Sequence, residues 1–340
     1  MLKALLALVF LAAGGVGADV SESIDPRASY PEGPLFSGRT LLVAEMGRDQ
    51  ISAYEGPGYG AKRVFWRRDD CGPTAIAPYG EGGFAILCHL GRKVVIIDAR
   101  GRDVRDIETD SAGAPFLDPN DCFADGEGGV YFSDPGLFSR DAEREGSLVY
   151  LAPDGAVRRL ARGLWYPNGV YIDRAEHALY LSEHMAGRVL RYPILGEGQL
   201  GPPHVFAEID FRAPPFRRRA VPYRERGPDG LERGPDGRLY VAIYGEGRVL
   251  AFSRRGRLDF WLETPMRYVT NIAFAPNGDA VVVGPHENLM PPYRGEVRRW
   301  PAAALAAPSS HPAAAHPASS HPPSSHPASS HPASSQGGRR

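Results

Sequence analysis

Apolar runs of five to seven residues, bounded by Gly, Pro, Asp and Asn, recur along the chain with no long 3.6-residue period between them. After Asp229 the chain reads GLER, a turn at GPDG, RLYVAIY, a turn at GEG, RVLAF, a turn at SRRG, and RLDFWLE. That is four short strands joined tightly. The same unit can be laid from Pro31, Gly72, Asp118, Tyr166 and Thr270. Its leading positions are Glu32, Thr74, Asn120, Asn168, Asp229 and Asn271, 42 to 61 residues apart. Six four-stranded units predict an all-β fold, a six-bladed β-propeller. Crossover helices are missing, which excludes a parallel α/β sheet, and a sandwich would need only about seven strands.

The last unit runs IAFAP, DAVVVG and GEVRRW and then lacks a fourth strand. Residues between Asp19 and Tyr30 are the donor that would complete it and remove an exposed edge. Both ends of the chain differ from this body. Residues 1–18 carry Lys3, an apolar run from Ala4 to Ala13 and a small-residue site at Val16-Gly17-Ala18. They predict a secretory signal and a periplasmic or secreted protein. The propeller then spans 19–300. Residues 301–340 reduce almost to Ala, Pro, Ser and His, a composition that predicts a disordered tail.

The formal net charge of −1 gives no reason to expect a nucleic-acid or membrane partner. A small-molecule ligand and a monomer are expected instead. Cys71 and Cys88 can pair in an oxidising compartment and leave Cys122 free, or all three can be buried thiols. Both readings stand on the sequence.

In a propeller the innermost strands all start at one face beside the channel, so the six leading residues converge there. Oxygen donors without Cys or His are hard ligands, suited to Ca²⁺, with Mg²⁺ or Mn²⁺ as alternatives. Asn and Asp also serve simple turns, but Glu32 has no turn chemistry to explain it. The second strand of each unit returns to the same face, and Glu45, His89, Asp134, His184, Tyr244 and His286 end it. Three histidines in that register predict a polar wall for a substrate.

These strings resemble the gluconolactonase and regucalcin family, which includes luciferin-regenerating enzymes. The resemblance rests on EGPLF at Glu32, PNDCFADGEGGVYFSDPG from Pro119, YPNGVYI at Asn168, GPDGLERGPDGRLYVA at Asp229 and TNIAFAPNGDAVVV at Asn271. It implies one divalent metal, Ca²⁺ first, with Zn²⁺, Mn²⁺ or Mg²⁺ as alternatives, held by Glu32, Asn168 and Asp229. It also implies a substrate or water contact at Asn120 and Asp229 as general base. Hydrolysis of a sugar lactone or related ester is the implied activity. Asp118 stands where some sugar-lactone hydrolases have Arg. His89, His184, His286 and Tyr244 are the further expected substrate contacts, and any of the three histidines could take the proton from water. A ligand-binding propeller without catalysis, and a metal-independent strictosidine-synthase-like enzyme, are the competing classes. The basic stretch 201–227 reads as a solvated loop or as a lid for an anionic substrate. No Gly-x-Ser-x-Gly elbow occurs, so a serine nucleophile is not expected.

Overall fold

The computed structural model describes residues 21–213, 216, 225–288 and 291–306. The expected signal at 1–18, the tail beyond 306 and the most basic part of 201–227 lie outside the described residues. Six antiparallel sheets are present, each built from strands consecutive in sequence apart from the last. Blade one is Pro31–Ser37, Thr40–Glu45, Gln50–Glu55 and Ala61–Arg67. The innermost strands of the next five blades are Pro73–Tyr79, Cys122–Ala124, Pro167–Asp173, Gly227–Arg233 and Asn271–Phe274. This is the expected six-bladed propeller.

The closing strand is the one the sequence predicts. Glu22–Ser29 pairs antiparallel with Arg294–Trp300, so the chain start completes the last blade. Ala28, Val281, Val283 and Val297 of that blade pack on Leu41, Val43 and Tyr54 of blade one. Lys62 holds the seam from outside, bridging Asp25 at 2.7 Å and Glu45 at 2.5 Å.

The hydrophobic core is divided into wedges between neighbouring blades. Leu42, Ala44, Ile51 and Ala53 of blade one, for example, face Ile76, Ile86, Val95 and Ile97 of blade two. Both faces of a middle strand are therefore buried, which is why runs such as FAILC and VVII carry no polar alternation.

The folded chain continues past 300, where the sequence places the start of the tail. Ala302–Ala306 form a short helix, Leu305 is buried against the last inter-blade wedge, and Asp279 accepts the Ala302 N–H. Cys71 and Cys88 form a disulfide, and Cys122 is a buried free thiol. Closing a loop of 17 residues removes denatured-chain entropy worth roughly 3 kcal/mol.

Candidate functional site

Four of the innermost strands begin with a register shift. It falls between Glu32 and Leu35, Pro73 and Ala75, Pro167 and Val170, and Pro228 and Leu231. Such bulges re-aim one side chain at a sheet end. Here they turn the leading residues to the axis. Gly169 and Gly230, which follow the leaders Asn168 and Asp229, are set by close approach, while Gly33 after Glu32 also has a positive φ of 38°. A Cβ on Gly169 would stand 2.3 Å from the Asp229 carbonyl oxygen, and one on Gly230 would stand 2.0 Å from Asn271 Cγ.

Glu32, Thr74, Asn120, Asn168 and Asp229 line one cavity, which His89 and Tyr244 also line. Asn271 does not. Thr270 holds the leading register in blade six, with its hydroxyl donating to the Pro31 carbonyl at 2.9 Å. A shift of one residue along a strand sends the side chain to the other side. Asn271 accordingly points down the channel and donates to Asp121 Oδ1 at 3.3 Å. Asp121 occupies the register that Gly33, Gly169 and Gly230 fill in blades one, four and five, and its Oδ2 accepts the Val170 N–H.

The second ring divides. His89 Nδ1 lies 3.1 Å from the Asp118 carbonyl, and burial lowers its pKa to about 4. A carbonyl only accepts, so Nδ1 carries the proton and Nε2 keeps its lone pair. His184 is not among the residues that line the cavity: its buried ring packs 5.8 Å from both Tyr166 and Tyr244, its Nε2 lies 3.2 Å from the Glu225 carbonyl, and burial lowers its pKa to about 4 as well. Tyr244 OH lies 2.9 Å from Tyr30 OH. Glu45 and Asp134 serve the framework instead. Glu45 accepts from Ser52, Gln50 and the Ser29 N–H, while Asp134 accepts the Leu117 and Asp118 N–H groups and pairs with Arg159. His286 is half-buried and is not among the residues that line the cavity.

Glu32, Asn168 and Asp229 are 8 %, 5 % and 4 % exposed, and no described Lys or Arg lines their cavity. Burial first, and then the charge of Asp229, push the Glu32 pKa far up. Burial and the Asp121 charge do the same to Asp229, opposed by the Gly230 N–H and the Asn168 amide. Two buried carboxylates without a cationic partner are costly for a fold to hold. A divalent cation would offset that cost, so this donor set fits one. Among the described residues no group of three or more His, Cys, Asp or Glu has metal-ligand spacing. The set here is two carboxylates with an amide as the third member.

Several wall residues escape the sequence reading. Tyr30 and Tyr166 line the cavity with left-handed backbones, φ 47° and 54°. Such angles in non-Gly residues concentrate at functional sites. The repeated Tyr-Pro before Glu32 and Asn168 is the signal that could have found them. Met46 and Phe138 also line the cavity, and no motif announces them.

Residues 30–283 match the family model of the SMP-30/Gluconolactonase/LRE-like region, and the chain belongs to that family. Lactonase drp35 of Staphylococcus saprophyticus is 29% identical over 223 residues, covering 62% of this chain and 64% of that protein. Lactonase drp35 of Staphylococcus aureus MW2 is 30% identical over 190 residues, 54% of each chain. The chain thus matches about half to two thirds of the length of these relatives. Among solved structures, a gluconolactonase from Xanthomonas campestris superposes with a TM-score of 0.64 at 21% identity, covering 83% of this chain and 89% of that one. The calcium-binding protein regucalcin from Agrobacterium tumefaciens gives 0.65 at 20% identity, covering 82% and 92%. At these identities the structures share the fold.

Proposed function

We propose that this protein is a metal-dependent lactone hydrolase acting on a small cyclic ester at the axial cavity. One observation carries the reading: the propeller axis buries Glu32, Asp229 and Asn168 together in a cavity that no described lysine or arginine lines. The relatives named lactonase support the reaction class. Glu32, Asn168 and Asp229 would hold the divalent ion, with Ca²⁺ the best match to all-oxygen donors. When bound, such an ion polarises an ester carbonyl and stabilises developing oxyanion charge.

The chain's own residues do the rest. The Asn168 amide donates to Asp229 and fixes its carboxylate. Asp229 takes the proton of the attacking water, and neutral His89 offers a second acceptor through Nε2. The tyrosine and Phe138 rings limit water at the reacting centre. The disulfide supports an oxidising location outside the cytosol, as the N-terminal segment predicts.

A lactone panel run with Ca²⁺, Zn²⁺ or Mn²⁺ and with chelator tests the reading. Hydrolysis that disappears on chelation and returns with one cation is the expected result. Chelator-insensitive hydrolysis would remove the metal and favour a metal-independent enzyme. Inertness toward every lactone with every cation would leave a binding propeller.

A further inference from the structure

A second cavity of about 240 Å³ lies farther along the innermost strands, and all six blades contribute to its wall. None of its lining residues lines the axial cavity described above. An apolar cavity of about 150 Å³ holds benzene, so this one has room for a six-membered ring and a one-carbon arm. Leu35, Phe36, Ile76 and Phe274 give it apolar walls.

Four polar side chains reach the cavity, and three of them are committed to the protein. Asp121 accepts the Cys122 and Val170 N–H groups and the Asn271 amide. The Asn271 oxygen accepts the Ile272 N–H. Arg174 donates to the Asp125 carbonyl at 2.9 Å and to the Ala124 carbonyl at 3.3 Å, both in blade three. Glu232 differs from these. It accepts the Phe274 N–H, and among the described residues no lysine or arginine bridges to it. The charge of Asp121 acts on it within the same cavity. An ionised carboxylate in such a place lacks a counter-ion and is poorly solvated.

A bare divalent ion fits this end badly. Ca²⁺ takes about six to eight oxygens, whereas Asp121 is already used by three donors and Glu232 alone has acceptors to spare. An ammonium group needs only a few acceptors, and an attached ring would cover the apolar wall. We infer that this second cavity binds a small organic ammonium ion, an amine with a compact apolar body whose charged head pairs with Glu232. Binding there needs no hydrolysis at the other cavity.

Benzylamine, benzyl alcohol and benzoate share a ring of one size and differ in charge. Calorimetric titration of the wild-type protein at about pH 8, where the amine is cationic, reads the difference. Benzylamine should bind at least about tenfold more tightly than benzyl alcohol, the scale of a hydrogen bond to a charged group, and benzoate more weakly than either. Glu232→Gln should bring benzylamine to within about twofold of the alcohol without changing the alcohol's own affinity, and Glu232→Asp should keep most of the preference. Glu32→Gln, at the other cavity, should leave benzylamine binding unchanged. The wild-type ratio tests the charge even if a variant fails to fold. Equal affinity for amine and alcohol, tightest binding of benzoate, or no binding of any of the three overturns the inference. So does a loss of benzylamine in Glu32→Gln that Glu232→Gln does not share, which would seat the amine at the axial site.

Discussion

Asp229 and Asp236 sit in identical Gly-Pro-Asp-Gly tetrapeptides seven residues apart and meet opposite fates. Asp236 closes an exposed hairpin, where Oδ1 accepts the Arg238 N–H and Oδ2 accepts the Tyr240 hydroxyl. Asp229 is 4 % exposed on the axis beside Asn168. Asp229→Ala should therefore lower lactonase kcat/KM by about 100-fold or more, the scale of losing a general base. Asp236→Ala should leave kcat/KM within about twofold while costing roughly 1 kcal/mol in denaturant unfolding, the scale of lost hydrogen bonds. Equal activity in both variants would remove Asp229 from the chemistry. The strand pattern already separates the two positions, because only Asp229 opens an innermost strand. Asn271 shows the limit of that reasoning: Thr270 and Asn271 can both lead a strand, and only the fold chooses between them.

Among elements, the innermost strands govern both ends of the channel. Below the site they carry Asp121 and Glu232 toward the opposite mouth, in a cavity of about 240 Å³ walled by Leu35, Phe36, Ile76 and Phe274. Burial raises Asp121 to about 7. Burial, with a smaller push from Asp121 and against the Phe274 N–H, raises Glu232 to about 8. An acid whose folded value exceeds its unfolded value of about 4.3 contributes stability at low pH that is lost as pH rises through the folded value. Glu232→Gln cannot ionise, so its melting temperature relative to wild type should rise as pH goes from about 4.3 to about 8 and level off above and below that window. A constant difference across that range would show that folding does not raise the Glu232 pKa. The raised values were invisible in the sequence, since they depend on burial and on side chains distant in the chain.

At the scale of the whole molecule, stability depends on closing the ring. The pairing of Glu22–Ser29 with Arg294–Trp300 joins the two ends of the propeller, and the Ala28 wedge welds blade six to blade one. Removing residues 21–29 would leave Arg294–Trp300 as an open edge strand. That truncation should melt at lower temperature and self-associate with concentration in sedimentation velocity. A truncated protein as stable and as monodisperse as the full chain would mean the seam contributes little.

The repeat of short apolar runs and turn residues determined the blade count and the closing strand, because each strand's burial is written in its own neighbours. The same local record exposed Glu32, Asn168 and Asp229, since a carboxylate or amide at the head of an apolar strand has no packing reason to be there. The tertiary structure alone decided that Glu45 and Asp134 brace the framework while His89 and Tyr244 line the cavity. It also decided that Asp118 accepts the Gly136 N–H and that Phe138 lines the cavity. Those roles come from side chains of different blades meeting across the axis, and no local pattern encodes which ones meet.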